Sequence, residues 1–185
     1  MHESPDILAA QAILADIWER ESRSPSVGVY LGRPIAKLPR LTPDAAEADA
    51  AFGRAMLSRL AVINTNALPH DLALTMKVAH FQMTYKAKAA DWYWLAGTYE
   101  GLFPGPCQVS SAAFSLLLVL LGRLFAGHSF VTQGDSDRYL ALTGDFTQLL
   151  YDMRVKLLGQ AARGIRIHQP AFSVTRSSLC QQRSR

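Results

Sequence analysis

The stretch SSAAFSLLLVLLGRLFAG, residues 110–127, decides the fold class of this chain. Within it, residues 112–121 are all apolar except Ser115. A helix that is apolar on all sides has no face for water, so it lies in a large protein core or in a membrane. The apolar run has about half of the roughly 20 residues that a membrane span needs, and Gly122-Arg123 ends it. The stretch therefore predicts the central core helix of a soluble helical protein.

Five further segments have the apolar spacing of helices, and no segment has a convincing strand pattern. Ser4-Pro5 and Thr42-Pro43 each provide an N-cap residue followed by proline at the first helical position. The five predicted helices are residues 4–21, 42–63, 69–94, 135–142 and 145–162. The sequence therefore predicts an all-α fold, an irregular helical bundle of about six helices with long Gly/Pro-rich loops.

Three of these helices have one apolar face that is predicted to be buried. On the first helix the face holds Ile7, Ala10, Leu14, Ile17 and Trp18. On the second it holds Phe52, Met56, Leu60 and Ile63. On the last it holds Phe146, Leu149, Leu150, Met153, Leu157 and Ala161.

The helix predicted at residues 69–94 has two apolar stripes on nearly opposite sides. One stripe holds Leu72, Met76, Ala79, Met83 and Ala90. The other stripe holds Leu74, Val78, Phe81 and Tyr85. A helix with two apolar stripes lies between two neighbours in a core. Alternatively, one stripe contacts a missing partner segment or another chain.

Positive charge is concentrated at the C-terminal end of the chain. The formal net charge is +4, yet residues 1–153 hold 12 Lys and Arg against 15 Asp and Glu, while residues 154–185 hold seven Lys and Arg and no acid. Such a segment attracts nucleic acid or anionic lipid, but only Phe172 interleaves an aromatic ring with the arginines. We predict a helical domain over residues 1–172 and a disordered, solvated basic tail over residues 173–185, with no nucleic-acid partner.

The N-terminal residues do not resemble a signal peptide. His2, Glu3 and Asp6 stand where a signal peptide carries Lys or Arg, and no apolar region follows them. The two cysteines, Cys107 and Cys180, lie far apart and form no CxxC pair, so free thiols are predicted. The predicted location is therefore the cytoplasm, with no membrane partner.

The sequence predicts no catalytic, cofactor-binding or metal-binding residue. Its histidines lack HExxH spacing, and it contains no GxSxG, P-loop or GxGxxG motif. We interpret His70 as part of a helix cap and His80 as a half-buried histidine beside an apolar stripe. Cys107 has no signal typical of a nucleophile. The aromatic run at residues 91–94 would stack on a ligand if it lay in a groove, but a helix-packing corner is the preferred interpretation.

Several motifs, each weak alone, occur in an order that resembles a known family. They are Pro25-Ser26 and Leu31-Gly32 in the long loop, Leu60, Ile63 and Leu68 at a helix end, Tyr139-Leu140 after an acidic turn, and Gly159, Gly164-Ile165 and Pro170. In this order and spacing, residues 24–172 resemble the N-terminal part of the bacterial family called domain of unknown function 885 (DUF885).

The resemblance implies the family from which the chain derives, but it assigns no activity to the chain itself. Full-length members of the DUF885 family are similar to all-helical zinc peptidases, and their His/Glu-rich metal motif lies C-terminal to the matched region. No residue here corresponds to that motif, so the resemblance implies zinc in full-length relatives and no cofactor in this chain. Gly159 and Gly164 would be structural, ending a helix. The family continues beyond Phe172, where this chain has an Arg/Ser/Gln tail, so a truncated member is predicted.

Two hypotheses of function follow from these patterns. The preferred one is the N-terminal helical portion of a DUF885 zinc-peptidase-like protein, inactive as a hydrolase alone, with the remainder of the family fold as its partner. The alternative is a stand-alone helical binding or scaffold module that self-associates through the second stripe of helix 69–94. Nucleic-acid binding by the basic tail is the least favoured.

Overall fold

The computed structural model describes residues 4–24, 27–28, 31, 33, 37–95, 125 and 130–165. Every regular element within these residues is helical, which confirms the all-α fold class for the described part. The helices are α1 (Pro5–Glu21), α2 (Pro43–Leu60), α3 (His70–Lys86) and α4 (Gln133–Ala162), with a 3-10 turn at Thr65–Ala67. The predicted core helix at residues 110–127, except Phe125, the Gly/Pro-rich loop at residues 97–106 and the tail at residues 173–185 lie outside the described residues.

The chain divides into two compact units. One unit consists of Met1–Val27 and Thr42–Tyr93, and the other of Gly28–Leu41 and Trp94–Arg185. The predicted domain boundary after residue 172 falls outside the described residues. Among the described helices, none has both the length and the apolar character that crossing a bilayer requires.

The first unit packs α1, α2 and α3 around one apolar core. Its buried residues are Ala10, Ile13, Ile17, Met56, Leu60, Leu68, Met76, Ala79 and Met83. Thr42 begins α2 as predicted, because its hydroxyl accepts a hydrogen bond from the Ala45 N–H at 3.2 Å and Pro43 follows in the first turn. Each helix thus buries one face, and most of the predicted faces of α2 and α3 are confirmed.

The predicted face of α1 is wrong at one residue. Trp18 is exposed, while Ile13, which the prediction left out, is buried together with Ala10 and Ile17. The buried residues recur at intervals of three and four, so the face lies slightly further round the helix than the prediction placed it. The Trp18 side chain falls outside this face.

The predicted C-terminal end of α3 is also wrong, because the helix ends at Lys86 and residues 87–95 form turns. Here α2 and the end of α3 approach closely, since a Cβ at Gly53 would lie 2.5 Å from the Ala87 nitrogen. The Lys86 ammonium forms ion pairs with Glu21 at 2.8 Å and Asp49 at 3.5 Å. The end of α3 is therefore held by both other helices, and only glycine fits at position 53 without displacing backbone.

The second unit contains α4, which is one continuous helix, so the prediction of two helices at residues 135–142 and 145–162 is wrong. Thr143-Gly144 suggested a break, but the Thr143 hydroxyl donates to the Tyr139 carbonyl one turn earlier and Gly144 is exposed within the helix. Leu142 and Leu149 on either side are both buried. Their burial offsets the cost of about 1 kcal/mol that glycine imposes on a helix.

Both ends of α4 are capped by side chains or turns that the sequence encodes. At the start, the Thr132 hydroxyl accepts from the Asp135 N–H and the Asp135 carboxylate accepts from the Thr132 N–H, forming a capping box. At the end, Gly164 has a φ of 75°, and the Ile165 N–H donates to the Gln160 carbonyl. This Schellman geometry confirms Gly164 as the C-terminal glycine.

The described end of the long loop between α1 and α2 packs against α4. Leu38 and Leu41 are buried with Leu142, Leu149 and Met153. Two partly buried rings, Phe125 and Phe146, complete this cluster. The second unit is therefore built on contacts between α4 and residues more than 100 positions earlier in the chain.

Candidate functional site

The residues considered for chemistry do not form a site in the described structure. His70 is the first residue of α3 and is exposed, and the N-cap position belongs to Pro69, which makes no side-chain cap. The interpretation of His70 as a cap is therefore wrong. His80 is also exposed, so its predicted half-burial is wrong. Cys107 lies outside the described residues.

An open cleft of about 280 Å³ lies beside His80 in the first unit. Its lining residues are Leu60, Thr65, Met76, Lys77 and His80. Within the described ranges, no three His, Cys, Asp or Glu side chains converge as a metal site would require. The cleft therefore offers one histidine and one lysine on an apolar floor, with no partner carboxylate among its lining residues.

Two residues of the aromatic run at residues 91–94 pack inside the protein, which agrees with the preferred interpretation of a helix-packing corner. Tyr93 is buried and Trp94 is half-buried. Trp92 packs edge-on against Tyr85, with ring centroids 5.0 Å apart and the planes 84° from parallel. Trp92 leaves part of its surface exposed next to Tyr85.

Three buried polar side chains form a row on α4. Asp152, Lys156 and Gln160 are each only 3% exposed. They recur every four residues, so they share one face of α4. Buried polar groups are stable only when they are hydrogen-bonded, so the partners of this row show its role.

Asp152 binds the end of the long loop. Its carboxylate accepts from Arg40 Nε at 2.7 Å and from Arg40 Nη2 at 3.2 Å, a two-point contact. It also accepts from the Leu41 N–H at 3.1 Å and from the Gln148 side-chain amide at 2.9 Å. About two turns earlier, Asp145 accepts from the Leu38 N–H at 3.1 Å. Two carboxylates of α4 therefore fix residues 38–41.

The partners of Asp152 also determine its ionisation. Burial alone would raise the pKa of Asp152, but the hydrogen bonds from Arg40, Gln148 and the Leu41 N–H outweigh burial and hold the pKa below its usual value. The hydrogen bond to Asp152 in turn raises the pKa of Arg40. Asp152 is therefore a fully bonded carboxylate and lacks the raised pKa of a general acid.

Gln160 and Arg163 fix Trp94 at the C-terminal end of α4. The Gln160 amide donates to the Trp94 carbonyl at 2.8 Å, and the Arg163 guanidinium lies 3.8 Å from the centre of a Trp94 ring. A Cβ at Gly159 would overlap the same ring. The expectation that Gly159 ends a helix is therefore wrong, because it lies inside α4 and makes room for Trp94.

The polar row thus acts as an internal anchor. Asp152 secures residues 40–41 and Gln160 secures Trp94, and all of these residues belong to the second unit. The row was missed at the sequence level because polar residues on an amphipathic helix ordinarily face water. The available signal was the four-residue spacing of Asp152, Lys156 and Gln160 beside the apolar Leu149 and Met153.

The opposite arrangement occurs on α3, where large apolar side chains are exposed. We call Leu74, Val78, Phe81 and Tyr85 the outer seam; they are 55%, 51%, 75% and 43% exposed. At about 100° per residue these four positions fall within an arc of about 60°. The buried residues Met76, Ala79 and Met83 lie on the other side of the helix. The second stripe predicted from the sequence is therefore present and largely exposed in the described part of the structure.

Polar but mostly uncharged residues border the outer seam. Thr75, Gln82 and Thr84 are exposed beside it, and Lys77 is the one flanking charge among positions 75–84. Trp92 extends the seam beyond the end of the helix through its contact with Tyr85. The surface is therefore a narrow apolar stripe with little charge along its centre.

The comparisons with known proteins add no relative to this description. No protein-family model matches the chain. No curated protein and no solved structure matches it either. The resemblance to the DUF885 family stays a prediction.

Proposed function

We propose that this chain is a helical binding module whose contact surface is the outer seam of α3. The observation that carries the proposal is the alignment of four exposed large apolar side chains on one narrow stripe. Isolated exposed apolar residues are ordinary on soluble proteins, whereas a contiguous apolar surface marks an interaction site. The face of α3 that packs against α1 and α2 is a separate one, so the outer seam contributes nothing to the core of its unit.

The spacing of the outer seam indicates that the bound element is a helix. Leu74, Val78, Phe81 and Tyr85 follow one another at intervals of four, three and four. This is the a/d spacing at which the side chains of two helices interdigitate. The uncharged border fits the centre of such an interface, where charged residues are depleted. Binding is therefore driven by burial of the apolar stripe.

Photo-crosslinking in cells that express the full chain tests the proposal. A photoreactive phenylalanine analogue replaces Phe81 in one variant and Ala55, an exposed residue of α2, in the control. The proposal predicts a discrete crosslinked product from position 81, absent from position 55, that disappears when Val78→Glu is added. Equal crosslinking from both positions, or none from position 81, would contradict it.

A second candidate is the N-terminal helical portion of a larger DUF885 zinc-peptidase-like protein. One observation favours it: loop residues 38–41 and α4, both inside the region of resemblance, are joined through Asp145 and Asp152. This candidate keeps the predicted bundle of about six helices, the core helix at residues 110–127, the disordered tail, the cytoplasmic location and zinc in full-length relatives. The remainder of the family fold would then cover the apolar surface.

The second candidate is tested on the genome and on the protein. It predicts a His/Glu-rich helical reading frame downstream of codon 185, in one of the three frames, and no stoichiometric zinc binding by this chain in isothermal titration. A downstream region with no such frame would contradict it. Sub-micromolar zinc binding by the isolated chain would contradict it as well.

A further inference from the structure

We infer that the outer seam binds the outer seam of a second copy of this chain. The two α3 helices pair antiparallel, about a two-fold axis between Ala79 and His80. The inference rests on the proposed function, since it names the partner of the same surface. It is carried by two independent features of α3. These are the order of side-chain sizes along the seam, with aliphatic Leu74 and Val78 followed by aromatic Phe81 and Tyr85, and the charges beyond both of its ends.

The side-chain sizes in the outer seam fit an antiparallel pair. The seam positions are symmetric about the point between residues 79 and 80, so Phe81 faces Val78 of the second copy and Tyr85 faces Leu74 of the second copy. Each layer then combines one aromatic and one aliphatic side chain, and all four layers have nearly the same volume. A parallel pair would stack Val78 on Val78 and Phe81 on Phe81, which leaves the first half of the seam underfilled and the second half crowded.

The charges at the ends of the seam favour the same direction. Continuing the seam spacing one position outward reaches Asp71, on α3 before the seam, and Lys88, in the turn that follows the end of α3 at Lys86; both are exposed. In the antiparallel pair Asp71 faces Lys88 of the second copy, so an ion pair closes each end. In a parallel pair Asp71 would face Asp71 and Lys88 would face Lys88, which is repulsive. The antiparallel direction also opposes the helix dipoles favourably.

The size of the outer seam sets the expected affinity. From the exposed fractions, and from about 150–250 Å² for a whole aromatic side chain, the seam offers about 400–500 Å² per copy. Two seams together bury about 800–1,000 Å², at the lower limit for a specific interface. The dimer is therefore expected to dissociate at micromolar concentrations rather than to be permanent.

Distances between spin labels test the direction of pairing in the full chain. In a background of Cys107→Ser and Cys180→Ser, single cysteines replace His70 or Gln82, which are both exposed. In the antiparallel pair, equivalent positions lie about 28 Å apart along the helix for residue 70 and about 8 Å apart for residue 82. Across a helix spacing of about 10 Å, pulsed electron resonance should therefore give a long distance at position 70 and a short one at position 82. Equal short distances at both positions would overturn the inference.

Exchange of the terminal charges provides a second test. Asp71→Lys alone should weaken dimerisation by about 2- to 30-fold, because each of two exposed ion pairs becomes a repulsion. Lys88→Asp alone should do the same, and the double variant should recover the original affinity. Additive weakening in the double variant would overturn the antiparallel pairing.

The failure of this inference can be told apart from failure of the proposed function. A crosslinked product from position 81 with twice the mass of the chain supports the second copy. A product of any other mass, lost with Val78→Glu, overturns the second copy but leaves the binding surface. The absence of any product contradicts the binding surface itself.

Discussion

The buried face of α4 and the exposed face of α3 differ in opposite ways from an ordinary amphipathic helix: the first buries polar side chains, and the second exposes apolar ones. On α4, Asp152 and Gln160 are buried, and both have hydrogen-bond partners in their own unit. On α3, four large apolar side chains on one stripe, Phe81 among them, are exposed. A buried polar group needs partners inside the chain, whereas an exposed apolar stripe gains only when something covers it. The α4 face therefore holds the second unit together, and the α3 face is the surface that we propose for binding.

The largest loss of stability is expected for Asp152→Ala, which removes the buried carboxylate of α4. The substitution leaves the Leu41 N–H and Gln148 without their acceptor, while the half-exposed Arg40 turns to solvent. We expect a loss of about 2–4 kcal/mol in the free energy of unfolding, measured by urea denaturation. Asp137→Ala, at an exposed position of the same helix, is the control and should cost less than about 0.5 kcal/mol. Equal losses in the two variants would contradict the anchor.

The next largest losses of stability are expected at two glycines that allow close packing, one in each unit. Gly53→Ala meets the backbone of Ala87, and Gly159→Ala meets the Trp94 ring. Each should lose about 1–3 kcal/mol, because the added methyl has no room. Gly144→Ala has no atom within 4 Å of the new Cβ and should gain up to about 1 kcal/mol from helix propensity. Thermal unfolding of the three variants compares them, and a stabilised Gly159→Ala variant would contradict the close contact.

The dependence of stability on acidic pH tests the contribution of the Asp152 carboxylate. The folded pKa of Asp152 is lowered, so its contribution is complete above the unfolded value of about 3.9 and is lost as pH falls through the folded pKa. The stability advantage of the wild-type chain over Asp152→Asn should therefore be constant above about pH 5 and shrink below pH 4. Urea midpoints from pH 7 to pH 2.5 measure it. An advantage that grows on acidification would have the wrong sign.

A smaller acid effect is expected at the start of α4. Hydrogen bonds from the Thr132 N–H, the Thr132 hydroxyl and Arg138 lower the pKa of Asp135 to about 2. The capping box should therefore persist until the pH falls from about 4 towards 2, and its loss should fray only the first turn of α4. Hydrogen exchange of the Asp135 amide against an amide in the middle of α4 checks this prediction. Simultaneous loss of protection at both amides would contradict a local effect.

The smallest effect on stability is expected on the α3 side. Phe81 is 75% exposed, so Phe81→Glu should change the free energy of unfolding of the monomer by less than about 0.5 kcal/mol. Chemical denaturation at sub-micromolar concentration, where the chain is monomeric, measures this value. A loss above about 2 kcal/mol would mean that Phe81 supports the fold, which contradicts its assignment to an interface.

The elements that sequence patterns predicted well are those fixed by local chemistry. Thr42-Pro43 and Gly164 mark helix ends through capping that involves only neighbouring residues, and the second stripe of α3 follows from helical spacing alone. The errors arise where distant residues decide. The continuity of α4 through Gly144 depends on burial of Leu142 and Leu149, and the end of α3 depends on its approach to Gly53. These contacts join residues that no local pattern connects.

The same distinction between local patterns and distant contacts applies to the two candidate sites. The outer seam was predictable because four apolar residues repeat along one helix, although the sequence left open what covers them. The anchor was not predictable, since Asp152 meets Arg40 across 112 positions of the chain. The role of Gly159 likewise became evident only from the position of Trp94, because an isolated glycine in a helix fits either an end or a close contact.

Sedimentation velocity of the full chain across about 1–200 µM tests the central claim most directly. The wild-type chain should rise from the 20.3 kDa mass of one chain towards twice that mass. Phe81→Glu should stay at the mass of one chain, and Ala55→Glu, an exposed change outside the seam, should behave as wild type. A wild-type chain that remains monomeric at 200 µM, or a Phe81→Glu chain that dimerises equally well, would contradict the assignment of the outer seam to self-association.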